Sequence, residues 1–310
     1  MTSLTTEVTD VLEAPPLTLG QMAWLRFRRH KAAMVGAVIL ILLFMYSFGG
    51  ALFYSEAYAN QTNTALRLQA PSSEHPFGTD SVGRDILART IYGGQISLLI
   101  GLLSVLLQVT IGIVVGAVAG YYQGWTDSLL MRFTEAVITV PSLFLLLVMA
   151  KFFGGKLPDL TLAGRTFSGS VVIIIVIIGL TSWPGLARIV RAEFLSIKEN
   201  EFVLAARATG TPNIQIIFRH ILPNAIAPIV VSATLGVAGA ILAEAYISFL
   251  GLGVQPPTAT WGNMITGSAN HIEAAPWLWL FPGTLILLTV LSINFVGDGL
   301  RDALDPRSRM

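Results

Sequence analysis

The 310-residue chain contains no cysteine, so neither disulfides nor thiolate metal sites enter its design. Charge is scarce as well. Asp, Glu, Lys and Arg make up 12% of the residues, against roughly 25% in an ordinary soluble domain. With 54% hydrophobic residues and a mean hydropathy of +0.70, too little polar surface remains to cover a water-soluble particle of this size. No Walker A string, GxxxxGK(S/T), occurs, which excludes nucleotide binding of that kind. The histidines His30, His75, His220 and His271 are scattered without ligand spacing, so no metal site is assigned. No nucleophile–base arrangement points to an intramembrane enzyme. The first residues lack the apolar core of a signal peptide; they are polar, acidic and broken by Pro15 and Pro16. Residues 1–25 therefore read as a disordered cytoplasmic tail.

What is present is a set of long uncharged runs. A hydrocarbon core of about 30 Å needs roughly 20 helical residues. The stretches between Lys31 and Glu56, Arg89 and Asp127, Arg165 and Arg188, Arg219 and Glu244, and Glu273 and Asp298 all reach that length. A shorter run after Glu135 reaches it when Phe133 and Thr134 are included. Continuous runs exclude a β-barrel, whose segments are short and alternating. The expected fold is an all-α polytopic membrane protein with six transmembrane helices, near 32–54, 95–120, 130–150, 170–187, 222–250 and from Trp277 onward. Pro184 is expected to kink the fourth span near its end. Gly112, Gly116 and Gly120 let another helix approach the second span, with packing inside the bundle favoured over a dimer contact. Arg26, Arg28, Arg29 and Lys31 precede the first span, which places the N-terminus in the cytoplasm. Alternating sides then puts thirteen of the 19 basic residues on the cytoplasmic face, the C-terminal segment 301–310 among them.

Charge returns between the fourth and fifth spans, in "EFVLAARATGTPNIQIIFRHILPN" at residues 201–224. Alanine and arginine favour a short helix here, and Gly210 stands where a left-handed C-terminal cap belongs. Pro212 then opens a second helix, with Ile214, Ile217, Phe218 and Ile221 as one apolar stripe. The expected element is two short helices joined by a sharp corner, lying flat beneath the membrane. Docking to a partner and contact with lipid headgroups fit such an element equally well.

The string "LAARATG", followed after nine residues by "HILP", resembles the EAA loop of ATP-binding-cassette importer permeases. Ala205, Ala206, Gly210, Leu222 and Pro223 match in register, while Leu204 and His220 stand where that pattern has glutamate and isoleucine. "HPFGTDSVGRDILARTIYGG" at 75–94, "AEAYISFLGLGVQPPTATWGNM" after the fifth span and "RFRRHKAAMVGA" near the start extend the likeness. They are similar to the second permease subunit of dipeptide, oligopeptide and nickel importers over roughly residues 20–305. The resemblance implies an N-terminal helix and external segment over 26–94, added to a five-helix permease core over 95–300. It implies a cytoplasmic coupling loop, 188–223, that fits a groove on a separate ATPase. Glu201, Phe202, Ala205, Ala206, Arg207 and Gly210 would make that contact, with Leu222 and Pro223 completing the motif. It further implies a related permease as heterodimer partner, two cytoplasmic ATPase subunits carrying the ATP and Mg, and an external substrate-binding protein. The chain itself would hold no cofactor, would contact no nucleic acid and would sit in a bacterial or archaeal cytoplasmic membrane, carrying di- or oligopeptides. Nickel, glutathione and oligosaccharide are the alternatives.

Three further features carry expectations. Glu244 is an ionisable group inside a span, fit for the translocation path or outer gate, or for a helix-packing hydrogen bond. Asp80, Arg84 and Asp85 are candidates for docking a binding protein, or for an ion-pair cluster capping the second span. Glu135 is expected to pair with Arg132. A gradient-driven secondary transporter, the alternative of another class, would show repeated halves and acidic coupling sites at mid-membrane; no repeat is visible, and Glu244 is the only carboxylate well within a span.

Overall fold

The computed structural model describes residues 18–162, 165–266 and 268–305. Thr18 opens the first helix, α1 (Leu19–Arg29), with a capping box: its hydroxyl accepts from Gln21 N at 3.3 Å, and Gln21 Oε1 accepts from Thr18 N at 2.9 Å. Residues 18–25, expected in the disordered tail, are therefore folded from a capped start; residues 1–17 lie outside the described residues. His30 makes the next corner, its Nδ1 accepting from Ala33 N at 3.1 Å. From there α2 (Lys31–Phe44) continues through a π turn as one 22-residue span to Leu52. After the short α3 (Glu56–Asn60) comes α4 (Ile86–Tyr122). It begins at Ile86 rather than near residue 95 because Asp85 caps it, accepting from Ala88 N at 2.8 Å.

The third expected span is not straight. It consists of α5 (Gly124–Thr139) and α6 (Ser142–Phe153), bent against each other by 84°. Pro141 causes the break: it has no N–H to donate, and it pushes Val140 to extended dihedrals of −74° and 125°. No ion pair joins Arg132 and Glu135 among the described residues; α5 is instead tied to the bundle by Asp127, which receives both Nε and Nη2 of Arg191. The loop after α6 holds the single strand pair among the described residues, β1 (Leu160–Leu162) and β2 (Arg165–Phe167), antiparallel with Leu160 opposite Phe167.

The next span, α7 (Gly169–Ile197), passes through Pro184 without ending and extends well beyond residue 187. It runs parallel to α4, with Ile96 and Ile100 packed near Ile173 and Ile177, and Gly120 against Phe194. The glycine stripe makes this closeness possible. A Cβ on Gly116 would stand 2.4 Å from Ala187 O, and one on Gly120 2.6 Å from Phe194 Cβ. The stripe therefore serves packing within the chain. Parallel neighbours also require the chain to cross back between them, so the bent α5–α6 pair is a full crossing.

After α8 (Glu201–Ala208) and a corner, α9 (Asn213–Gln215), a π turn (Ile216–Ile221), a 3-10 turn (Leu222–Ala225) and α10 (Ile226–Phe249) form one 37-residue rod. The separate second helix expected beneath the membrane is thus the first part of the fifth span. Its apolar stripe also differs. A π turn widens the repeat, so Ile216, Ile217, Ile221 and Ala225 are buried together while Ile214 and Phe218 are exposed. The chain finishes with α11 (Trp261–Thr266) and α12 (Trp277–Leu304). Five long apolar helices plus the bent pair give six crossings among the described residues, as expected for the polytopic bundle. Residues 306–310 of the C-terminal segment lie outside the described residues.

Packing fixes which ends lie together. α2 and α12 are antiparallel, since Gly36 meets Ser292 and Gly299 meets Ala33. α1 sits against Ala303, and the Arg26 side chain donates to Asp305 O at 3.0 Å. Following the six crossings puts α1, the end of α12 and α8 at one end of the bundle. The Asp80–Asp85 turn and α11 occupy the other.

Candidate coupling site

α8 hangs at the end of the bundle on one fully buried side chain, Val203, in a core with Tyr121 of α4, Phe194 of α7 and Ile216 and Ile221 of the rod. At about 25 cal/mol per Å² of buried apolar area, a valine contributes about 1.5 kcal/mol or more to holding the helix there. Ala206 is half-buried against the same core. Glu201, Phe202 and Ala205 are exposed, and so is Arg207, although its guanidinium leans back toward the Tyr121 ring of that core. The helix therefore has one face bound to three spans and another face left exposed among the described residues.

Gly210 makes the exit. Its φ is +79°, Gly210 N donates to Arg207 O at 3.0 Å, and Thr211 N donates to Ala206 O at 3.1 Å. These two bonds are a Schellman cap, which satisfies the last carbonyls of α8 and reverses the chain into Pro212. A Cβ on Gly210 would meet nothing within 4 Å, so glycine is needed here for its backbone alone. The structure leaves Glu201, Phe202, Ala205 and Gly210 exposed, and Arg207 exposed one turn on from Val203. It does not group Leu222 and Pro223 with them: Leu222 packs into the core from the rod, and Pro223 starts its 3-10 turn.

Two residues that sequence reading passed over lock the element. Tyr121 donates to Asn213 Oδ1 at 2.7 Å, and the Arg207 guanidinium lies 6.0 Å from the Tyr121 ring centroid. A polar aromatic at the end of an apolar span was the available signal for Tyr121. Asn213 is adjacent to Pro212 and carries no signal beyond turn chemistry.

At the opposite end, Asp80 Oδ1 accepts from Val82 N and Arg84 N at 2.9 and 3.0 Å, and its Oδ2 from Arg84 Nε at 2.6 Å. Asp85 is buried, with one oxygen on Ala88 N and the other on His75 Nδ1 at 2.8 Å. Both carboxylates are spent inside the turn, so of these three residues only Arg84 keeps free donors. Glu244 of α10 is fully buried. Its Oε1 accepts from Ser248 Oγ and Thr260 Oγ1, each at 2.7 Å, and Gly262 packs so closely that a Cβ would stand 3.0 Å from Oε2. Glu244 thus faces the loop after α10, which folds back into the bundle and inserts Trp261 between α4 and α10.

The architecture is that of a polytopic membrane bundle with a short helix exposed at one end. The family model described as binding-protein-dependent transport system inner membrane component matches residues 112–310, and that described as the N-terminal TM domain of oligopeptide transport permease C matches 18–71. The chain belongs to this family of inner-membrane permease components of importers, a transport component rather than a catalytic subunit. It is 41% identical over 287 residues to the dipeptide transport system permease protein DppC of Alkalihalophilus pseudofirmus, covering 93% of this chain and 90% of that protein. It is also 41% identical over 308 residues to the oligopeptide transport system permease protein OppC of Haemophilus influenzae, covering 98% and 94%. Among solved structures, an inward-facing MetNI methionine ABC transporter superposes with a TM-score of 0.54 at 20% identity, over 69% of this chain and 94% of that one; this likeness concerns the fold.

Proposed function

We propose that the chain forms half of the translocation path of an ATP-driven importer of di- or oligopeptides and receives its driving motion through α8. The carrying observation is the two-faced mounting of that helix: Val203 is sunk in a core shared by α4, α7 and the rod, while Glu201, Phe202, Ala205 and Gly210 are exposed, with Arg207 exposed beside Tyr121. A groove on a separate ATPase subunit that grips the free face displaces three spans at once. ATP and Mg belong to two such cytoplasmic subunits. In this reading the α8 end and both termini are cytoplasmic, and an external binding protein delivers substrate at the Asp80–Asp85 end, where Arg84 offers the free donors.

A related permease completes the path. Support comes from α5 and α6, which leave Phe133, Phe144, Val148 and Phe152 exposed along the bend and bury little beyond Thr134, Leu146 and Ala150. On the same reading residues 26–94 are an addition to the core over 95–300, with 188–223 as the coupling segment. Glu244 acts as a positioning residue for the loop behind the outer gate.

The substrate class is tested by deleting the gene and measuring uptake of labelled dipeptides and of nickel side by side, with and without vanadate. Vanadate-sensitive loss of dipeptide uptake alone is expected. Loss of nickel uptake alone overturns the peptide assignment. Collapse of uptake by an uncoupler, with vanadate ineffective, overturns ATP drive.

A further inference from the structure

The turn that holds Asp80 also borders a cavity of about 150 Å³, closed on its far side by the loop after α10. Hydrogen-bond accounting shows what this cavity can still bind. Gln255 Nε2 donates to Gly251 O and Gly253 O, and Asn263 Nδ2 to Val254 O and Thr258 O. Thr266 Oγ1 donates to Ser248 O, and Ser248 Oγ to Glu244 Oε1. The amide and hydroxyl donors of these residues are spent on the protein.

The guanidiniums are not. Arg84 uses only Nε, on Asp80. Arg89, 3% exposed, gives Nη1 to Asn60 Oδ1 at 3.1 Å. Its Nε stands 3.9 Å from Asp80 Oδ2, beyond hydrogen-bond length. Arg89 Nη2 and both terminal nitrogens of Arg84 have no acceptor among the described residues. Asp80, the single carboxylate in the wall, is already committed to two backbone N–H groups and to Arg84. The wall therefore carries two cations against one anion, with spare donors on both cations and on the Ser81 hydroxyl.

A buried guanidinium with unspent N–H groups favours an anion, and its planar fork matches an oxygen pair. The rest of the wall selects among anions. Ile86, Val254, Pro256 and Leu278 make one side apolar, and burying a multiply charged phosphate against such a side is costly. A singly charged head on a short apolar stem suits both sides. We propose that this cavity is a receptor for a small organic carboxylate, held by Arg84 and Arg89.

The site is tested without any transport assay, so its failure and failure of the importer reading are separable. The full-length chain, purified in nanodiscs with the subunits that accompany it, is titrated calorimetrically with acetate, acetamide and, at matched ionic strength, chloride. Acetate is expected to bind at least about tenfold more tightly than acetamide, the equivalent of one lost charge-assisted contact, and chloride to give no comparable signal. Arg84→Gln, a change at the partly exposed member, is expected to weaken acetate by about tenfold or more. Arg89→Lys keeps the charge, loses the fork and is expected to weaken acetate likewise. Equal binding of acetate and acetamide, a matching chloride signal, or unchanged acetate affinity in Arg84→Gln each overturns the proposal; the Arg84 result stands even where Arg89→Lys does not fold.

Discussion

Gly210→Val is expected to abolish transport while leaving membrane insertion intact. The residue sits at φ +79°, where a side chain costs roughly 1–2 kcal/mol and a β-branched one more. Crowding contributes nothing, because a Cβ there meets no atom within 4 Å. The whole penalty therefore falls on the backbone of the corner. Relief requires φ to leave the left-handed region, which breaks the bonds from Gly210 N to Arg207 O and from Thr211 N to Ala206 O. The last turn of α8 then frays and its angle to the rod is lost, although the spans themselves are untouched. Insertion is checked by membrane fractionation, and coupling by comparing ATP hydrolysis with uptake in reconstituted vesicles. Hydrolysis should continue without uptake. Gly210→Asn should retain most function, since asparagine tolerates this region better than other residues with a side chain. Wild-type uptake by Gly210→Val would sink the coupling role of this corner.

The corner at Gly210 was legible because its signals are local: a helix-forming run, a glycine, then a proline two residues later. The six crossings were legible for a similar reason, since a missing charge over twenty residues needs no knowledge of what packs beside it. Misreadings arose where a local signal was outweighed or a partner was remote. Pro141 lies inside an apolar run, and its restriction on Val140 bends the third crossing by 84° although hydropathy is unbroken. The stripe on residues 214–221 was read at a period of 3.6, but the π turn over Ile216–Ile221 shifts the buried set to Ile216, Ile217 and Ile221. Of the two readings of Asp80, Arg84 and Asp85, sequence alone could not favour the ion-pair cluster capping α4, because nothing in it shows that the backbone of residues 82, 84 and 88 consumes the carboxylates. Tyr121 and Asn213 meet although they are 92 residues apart in the chain, a pairing no spacing rule contains.

The loop after α10 is the clearest case of a remote partner, and it sets the second large expected effect: Trp261→Ala should destabilise the fold by about 3–5 kcal/mol, the usual cost of emptying a buried tryptophan site. Trp261 is fully buried although it belongs to a connecting segment. Its Nε1 donates to Thr90 O at 2.9 Å, its backbone N donates to Ser97 Oγ at 3.1 Å, and both partners lie on α4. The ring fits because Gly94 presents no side chain, since a Cβ there would stand 2.6 Å from Trp261 Cζ2, and Gly93 admits the backbone of Thr260 and Trp261. The neighbouring Thr260 is held by Glu244, so the ring and the carboxyl fasten the same segment from two helices. Trp261→Phe keeps most of the apolar contact and leaves Thr90 O without its donor, an expected cost of only about 1–3 kcal/mol. The two variants are compared by thermal unfolding in detergent and by limited proteolysis between residues 250 and 268. Trp261→Ala should unfold at the lower temperature and be cut in this segment while the spans are still intact. Identical unfolding of the two variants, with no new cleavage, would mean that the loop is held by Glu244 and the backbone rather than by the tryptophan ring.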